Sequence, residues 1–214
     1  MKKLMVVLVF VFVILLPLSY SYLTYKPPSI DKMKDELDLI ASKDIVCSEK
    51  GKLINPNLTI VYYHTVKKIG SNYIVYKDAN FSTGRRLQLY LTINKDGYSG
   101  YILVNNTEKY PLTDSNFRRF YLIPLQEYIS YIENNGCIIG WKRGLSKLTD
   151  VKVVSPSRLQ SLTGVKEYRF TAKWGSANVE ITTTSEGIPI KIVQRFPEGS
   201  YIVSRLYLIN DESS

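Results

Sequence analysis

This chain has one histidine and two cysteines among its 214 residues. His64, Cys47 and Cys137 stand far apart, and no Cys/His cluster has the spacing of a metal site, so no metal is expected. Phosphate-cradling glycine loops, a nucleophile-elbow pentapeptide and a metalloprotease helix are all missing. His64 sits mid-strand in phase with Leu58, Ile60 and Tyr62, and reads as a satisfied, partly buried histidine rather than a base. Acidic pairs such as Asp35-Glu36 fall on a solvated helix face. No enzyme activity and no cofactor are therefore expected. No basic run exceeds two residues, so the net charge of +9 reads as scattered surface charge, and nucleic acid is not an expected partner.

What is present begins at the N-terminus. Lys2 and Lys3 precede an unbroken apolar run from Leu4 to Leu16, followed by Pro17 and Leu18-Ser19-Tyr20-Ser21. A positive start, a short apolar stretch and a small-residue exit make up the layout of a secretory signal. Two readings of residues 1–23 stand. One is a signal peptide cleaved after Ser21. The other is a retained transmembrane anchor, because reading through to Leu23 just reaches the roughly 20 residues that a spanning helix needs. Both place residues 24–214 outside the cytoplasmic membrane, since Lys2 and Lys3 hold the N-terminus inside. The expected location is extracytoplasmic, secreted or anchored through the N-terminal segment, with the membrane as that segment's partner.

An exported chain meets oxidising surroundings, so Cys47 and Cys137 are expected to pair. The bridge would close a loop of about 90 residues, worth roughly 4.6 kcal/mol in the chain-entropy account. Three glycosylation sequons, Asn57-Leu58-Thr59, Asn80-Phe81-Ser82 and Asn105-Asn106-Thr107, each fall at a strand end or turn where a glycan could reach solvent.

Periodicity gives one α+β domain. Ser29 caps a helix over Ile30–Ser42 whose Met33, Leu37, Ile40 and Ala41 share a face. Strands are read around Leu58–Thr65 and Tyr73–Tyr76, then over Leu87–Ile93. There Leu87, Leu89, Leu91 and Ile93 alternate with polar residues. The chain turns at Asn94-Lys95-Asp96-Gly97 and returns over Tyr98–Val104, then turns again into Lys109–Pro111. Ser115 to Asn134 has helical spacing divided at Pro124, with Gly136 as a terminal cap. Strands over Val151–Val154, Val165–Trp174, Ala177–Thr184, Ile188–Phe196 and Ser200–Ile209 complete an antiparallel set of nine or so, with an N-terminal helix and a central helical insertion.

This order of elements resembles the lipoprotein-carrier and lipoprotein-sorting family of the LolA and LppX type. The matching stretches are the Met33–Ile40 helix, the hairpin Gln88-Leu89-Tyr90-Leu91-Thr92-Ile93-Asn94-Lys95-Asp96-Gly97, and Gly164-Val165-Lys166-Glu167-Tyr168-Arg169-Phe170. Val179-Glu180-Ile181 and the Gly187-Ile188-Pro189-Ile190-Lys191-Ile192 turn and strand follow. The resemblance implies a curved half-barrel sheet that wraps around helices and shelters acyl chains or another apolar ligand. Leu87, Leu89, Leu91 and Ile93 would then help to line the concave face. The expected function is a non-catalytic extracytoplasmic binding protein for a lipid or other apolar ligand. The alternative is a cell-surface structural or interaction protein with an envelope protein as partner, its exposed edge strands available for pairing.

Overall fold

The computed structural model describes residues 26–155 and 167–209. The N-terminal segment, 1–23, lies outside the described residues, as do residues 165–166 of the strand read from Val165. Among the described residues no helix is long and apolar enough to cross a membrane.

The chain is α+β. Its frame is a curved, unclosed antiparallel sheet of 11 strands. Helix α1 (Ile30–Ser42) leads into β1 (Val46–Asn55), β2 (Leu58–Ile69), β3 (Asn72–Phe81), β4 (Arg86–Asn94), β5 (Gly97–Val104) and β6 (Glu108–Pro111). This meander walks from the middle of the sheet to one edge. A helical insertion follows: α2 (Asp114–Tyr121), α3 (Leu125–Asn135), a 3-10 turn (Gly136–Ile138) and α4 (Ile139–Leu145). The chain then starts from the opposite edge with β7 (Thr149–Ser155), β8 (Glu167–Trp174), β9 (Ala177–Thr184), β10 (Pro189–Arg195) and β11 (Tyr201–Ile209). The last strand pairs with β1, giving the order β6-β5-β4-β3-β2-β1-β11-β10-β9-β8-β7. β1 therefore joins two meanders that the sequence places far apart.

Local chemistry sets most boundaries. The Ser29 side chain accepts a hydrogen bond from Lys32 N at 3.1 Å, starting α1. Thr113 caps α2 in the same way, and Asp114 Oδ1 accepts from Leu125 N at 2.9 Å, tying the start of α2 to the start of α3. Leu122 closes α2 in the left-handed conformation, and Pro124 stands at the N-cap of α3. The β5–β6 turn places Asn105 and Asn106 both at positive φ, as a tight hairpin turn requires.

Alternation along the strands separates two faces. One face carries the core. Val66, Val75, Leu89, Leu91, Ile102, Phe170 and Ile181 are buried there against Met33 and Leu37 of α1 and Leu125, Ile129 and Ile132 of α3. Trp141 and Leu145 of α4 complete this layer. A Tyr73 hydroxyl donating to the Glu133 carbonyl, at 2.9 Å, and an ion pair between Lys142 and Asp38 stitch it together. The opposite face has no helix on it among the described residues, and β8 shows the difference in its strict alternation of buried and exposed positions.

Both sheet edges are blunted. β6 is four residues long and ends at Pro111, while β7 has register shifts and a positive φ at Asp150. Short, bulged or proline-bearing edges discourage further strand pairing.

Candidate functional site

A cavity of about 360 Å³ lies on the helix-covered face, between the lower halves of β1 to β4 and the C-terminal end of α2. Ile60, Ala79, Phe81, Leu87 and Phe120 give it an apolar wall, and Leu122 stands exposed at its rim. Seven polar side chains interrupt that wall: Glu49, Tyr62, Tyr63, His64, Lys77, Asp78 and Tyr121.

Register explains how they meet. Glu49 pairs across the strands with His64, and His64 with Lys77, so an acid, an imidazole and an ammonium occupy adjacent strands in one row. Tyr62 pairs with Gly51 and crosses directly above it. A Cβ at position 51 would lie 2.1 Å from Tyr62 Cζ, so only glycine leaves room for the ring. Crossing there, the Tyr62 hydroxyl reaches Glu49 Oε1 at 3.0 Å and Ser204 Oγ at 2.6 Å.

The electrostatics are those of groups held away from water. Burial raises the Glu49 carboxyl above its ordinary range, opposed by hydrogen bonding to Tyr62 and Ser204. Burial lowers the Lys77 ammonium, opposed by the charge of Glu49. Lys77 has no hydrogen-bond or ion-pair partner among the described residues. Its Nζ lies 4.9 Å from the Tyr128 ring centroid and 5.7 Å from that of Tyr121, an arrangement that suits a desolvated cation. The Tyr121 hydroxyl is buried without a partner.

His64 is buried, with Nε2 3.4 Å from the Tyr128 hydroxyl. Burial first, and the nearby Lys77 charge second, hold its pKa well below 6.5. The native imidazole stays neutral where the unfolded one takes up a proton. Its contribution to stability is complete above pH 6.5 and is lost as pH falls below that, by up to about 1.4 kcal/mol per pH unit. Glu49, with its raised pKa, acts in the opposite sense. The difference between wild type and His64→Leu isolates the histidine. Urea unfolding at pH 7.5 and 5.5 should show wild type losing more stability on acidification than the variant, and parallel losses would refute this.

Of the sequence-derived row, Leu87 reaches the cavity, whereas Leu89, Leu91 and Ile93 are packed into the core beneath the helices. The three sequon asparagines are all exposed. Asn57 stands in the β1–β2 turn, Asn80 near the end of β3 and Asn105 in the β5–β6 turn, and register puts all three at one end of the sheet. The start of α1 lies at the other end, where Pro28 packs against Gly187 so closely that a Cβ on Gly187 would fall 2.9 Å from Pro28 Cβ. Cys47 is disulfide-bonded. The 3-10 turn that carries Cys137, the other cysteine in the sequence, packs on β1 and β2, and the Cys137 side chain lies outside the described residues.

Glu49, Tyr62, Lys77 and Tyr121 were not legible as site residues. A usable signal exists in two of them. Lys77 falls in phase with Tyr73, Val75 and Ala79, and Glu49 with Cys47 and Leu53, so each puts a charge on a face that is otherwise apolar. Comparison with known proteins adds nothing to this geometry: no protein-family model and no curated protein matches the chain.

Proposed function

We propose that this protein is a non-catalytic, extracytoplasmic binding protein that shelters a lipid or another apolar ligand with an anionic head. The observation that carries the reading is Lys77, an ammonium with no hydrogen-bond or ion-pair partner among the described residues, set against the apolar wall of the cavity; Glu49, the acid in its cross-strand row, accepts instead from the Tyr62 hydroxyl. Leaving a buried charge unpaired is costly, and a ligand carboxylate would relieve that cost. The buried Tyr121 hydroxyl offers a donor beside it. The cavity volume falls at the lower end of the range for small-molecule sites. The resemblance to half-barrel lipoprotein carriers agrees with this role, and the opposite placement of α1 and the sequons suits a domain whose N-terminus faces the membrane and whose glycans face away.

The test compares a fluorescent fatty acid with its methyl ester. Wild type should bind the acid more tightly, and Lys77→Met should weaken the acid by about 10- to 100-fold, the range for a hydrogen bond to a charged group. The ester should be unaffected. If wild type takes up neither probe, or if the variant binds the acid equally well, the reading fails.

A further inference from the structure

The cations that look scattered along the chain are aligned by the sheet. On the helix-free face Arg169 of β8 pairs with Thr182, Thr182 with Lys191, Lys191 with Arg205, and Arg205 with Lys50 of β1. This one cross-strand row spans four strand spacings, about 19 Å. Lys191, Arg205 and Lys50 stand directly opposite one another on three adjacent strands. Like charges so placed are destabilising, and no acid separates them. Among the described residues Arg169, Lys191 and Arg205 have no ion-pair partner. Glu180, the nearest acid on β9, lies 3.6 Å from Arg195 instead. Lys50 rests over the rings of Tyr63 and Tyr207, at 5.5 and 5.7 Å.

The neighbouring row is aromatic and hydroxylated. Tyr207, Ser48, Thr65, Tyr76, Tyr90 and Tyr101 follow one another across six strands. Ser48 Oγ is 3.0 Å from Thr65 Oγ1 and 3.2 Å from the Tyr63 hydroxyl. Two adjoining hollows of about 510 and 540 Å³ lie over the cationic row and share Ile190, Leu206 and Tyr207 in their walls.

We propose that this face is a docking surface for an extended acidic polysaccharide, whose carboxylate, sulfate or phosphate groups sit on the Arg169–Lys191–Arg205–Lys50 row while its hydroxyls meet the neighbouring tyrosines. Charge complementarity commits the surface to a polyanion: four cations share this face with two acids, Glu167 and Glu180, which offset only part of the repulsion within the row, and such a partner relieves the rest. The cations form a single line across the strands, with Lys50, Arg169 and Arg205 exposed along it, which suits a narrow chain lying across the strands. The tyrosines spend ring faces on each other, Tyr90 and Tyr101 being stacked at 4.7 Å, so few are left for nucleobases. The proposal shares only the exported location with the cavity reading.

The test titrates the whole protein with dextran sulfate and with uncharged dextran at low and high salt. Dextran sulfate should bind, less tightly as salt rises, and dextran should not. The triple variant Lys50→Gln, Lys191→Gln, Arg205→Gln should weaken binding by at least about tenfold. It should also unfold at an equal or higher temperature, because repulsion has been removed. Fatty-acid uptake by the cavity should be the same in the variant, which keeps this outcome separate from that of the cavity reading. No binding to dextran sulfate, an unchanged affinity in the variant, or tighter binding to anionic vesicles or single-stranded DNA would overturn the proposal.

Discussion

Replacing Cys47 with serine should lower the unfolding free energy by about 4 to 5 kcal/mol. The sequence-assigned bridge to Cys137 closes a loop of about 90 residues, and in the chain-entropy account a loop of that length restricts the unfolded state by roughly this amount. The bridge also has a structural task. Cys47 is buried on β1, the strand that joins the two meanders, and the turn carrying Cys137 packs over β1 and β2 at the end of α3. Fastening that turn holds the helical insertion against the centre of the sheet. Urea unfolding of oxidised wild type, reduced wild type and Cys47→Ser measures the effect. Cys47→Ala separates the lost bridge from the small cost of a buried hydroxyl. Equal midpoints for oxidised wild type and both variants would remove the bridge from the account of stability.

Phe117→Ala should cost about 3 to 5 kcal/mol, the range for deleting a fully buried aromatic ring. Phe117 is 0% exposed. Its ring stacks on Tyr121 at 4.7 Å and tilts against Tyr128 at 5.1 Å, and such pairs add about 0.5 to 1.5 kcal/mol beyond area burial. These contacts fix α2 to α3 and hold Tyr121 over Lys77. The variant should therefore lose fatty-acid affinity along with stability. Leu122→Ala is the control. Its side chain is 87% exposed at the cavity rim, so its stability should change by less than about 0.5 kcal/mol. Similar losses in the two variants would show that the ring does not hold the helix layer.

In two strands the site itself makes the sequence hard to read. β1 carries no strand signal because Val46–Asn55 contains Glu49, Lys50, Gly51 and Lys52, residue types that strands disfavour. Yet Glu49 faces the cavity and Gly51 makes room for Tyr62. The strand signal of β3 stops at Tyr76, because Lys77 interrupts the apolar phase there, although the strand runs to Phe81. In both places a polar residue that the cavity uses broke the alternation by which a strand is recognised. α4 went unread for another reason: Gly140 and Gly144 weaken its helical signal, and its burial depends on packing at Trp141 and Leu145.

The sequence by itself determined the local elements whose signals lie within a few residues. Ser29 and Pro124 set helix starts, Gly136 an end, Asn94–Gly97 a turn, and the row from Leu87 to Ile93 a strand with one apolar face. Only the tertiary structure decided which strands stand side by side. Pairing between β1 and β11 depends on residues more than 140 positions apart, and no local pattern encodes that register. That same pairing turns isolated cations into a continuous row, and the β1–β2–β3 register brings Glu49, His64 and Lys77 into one cavity.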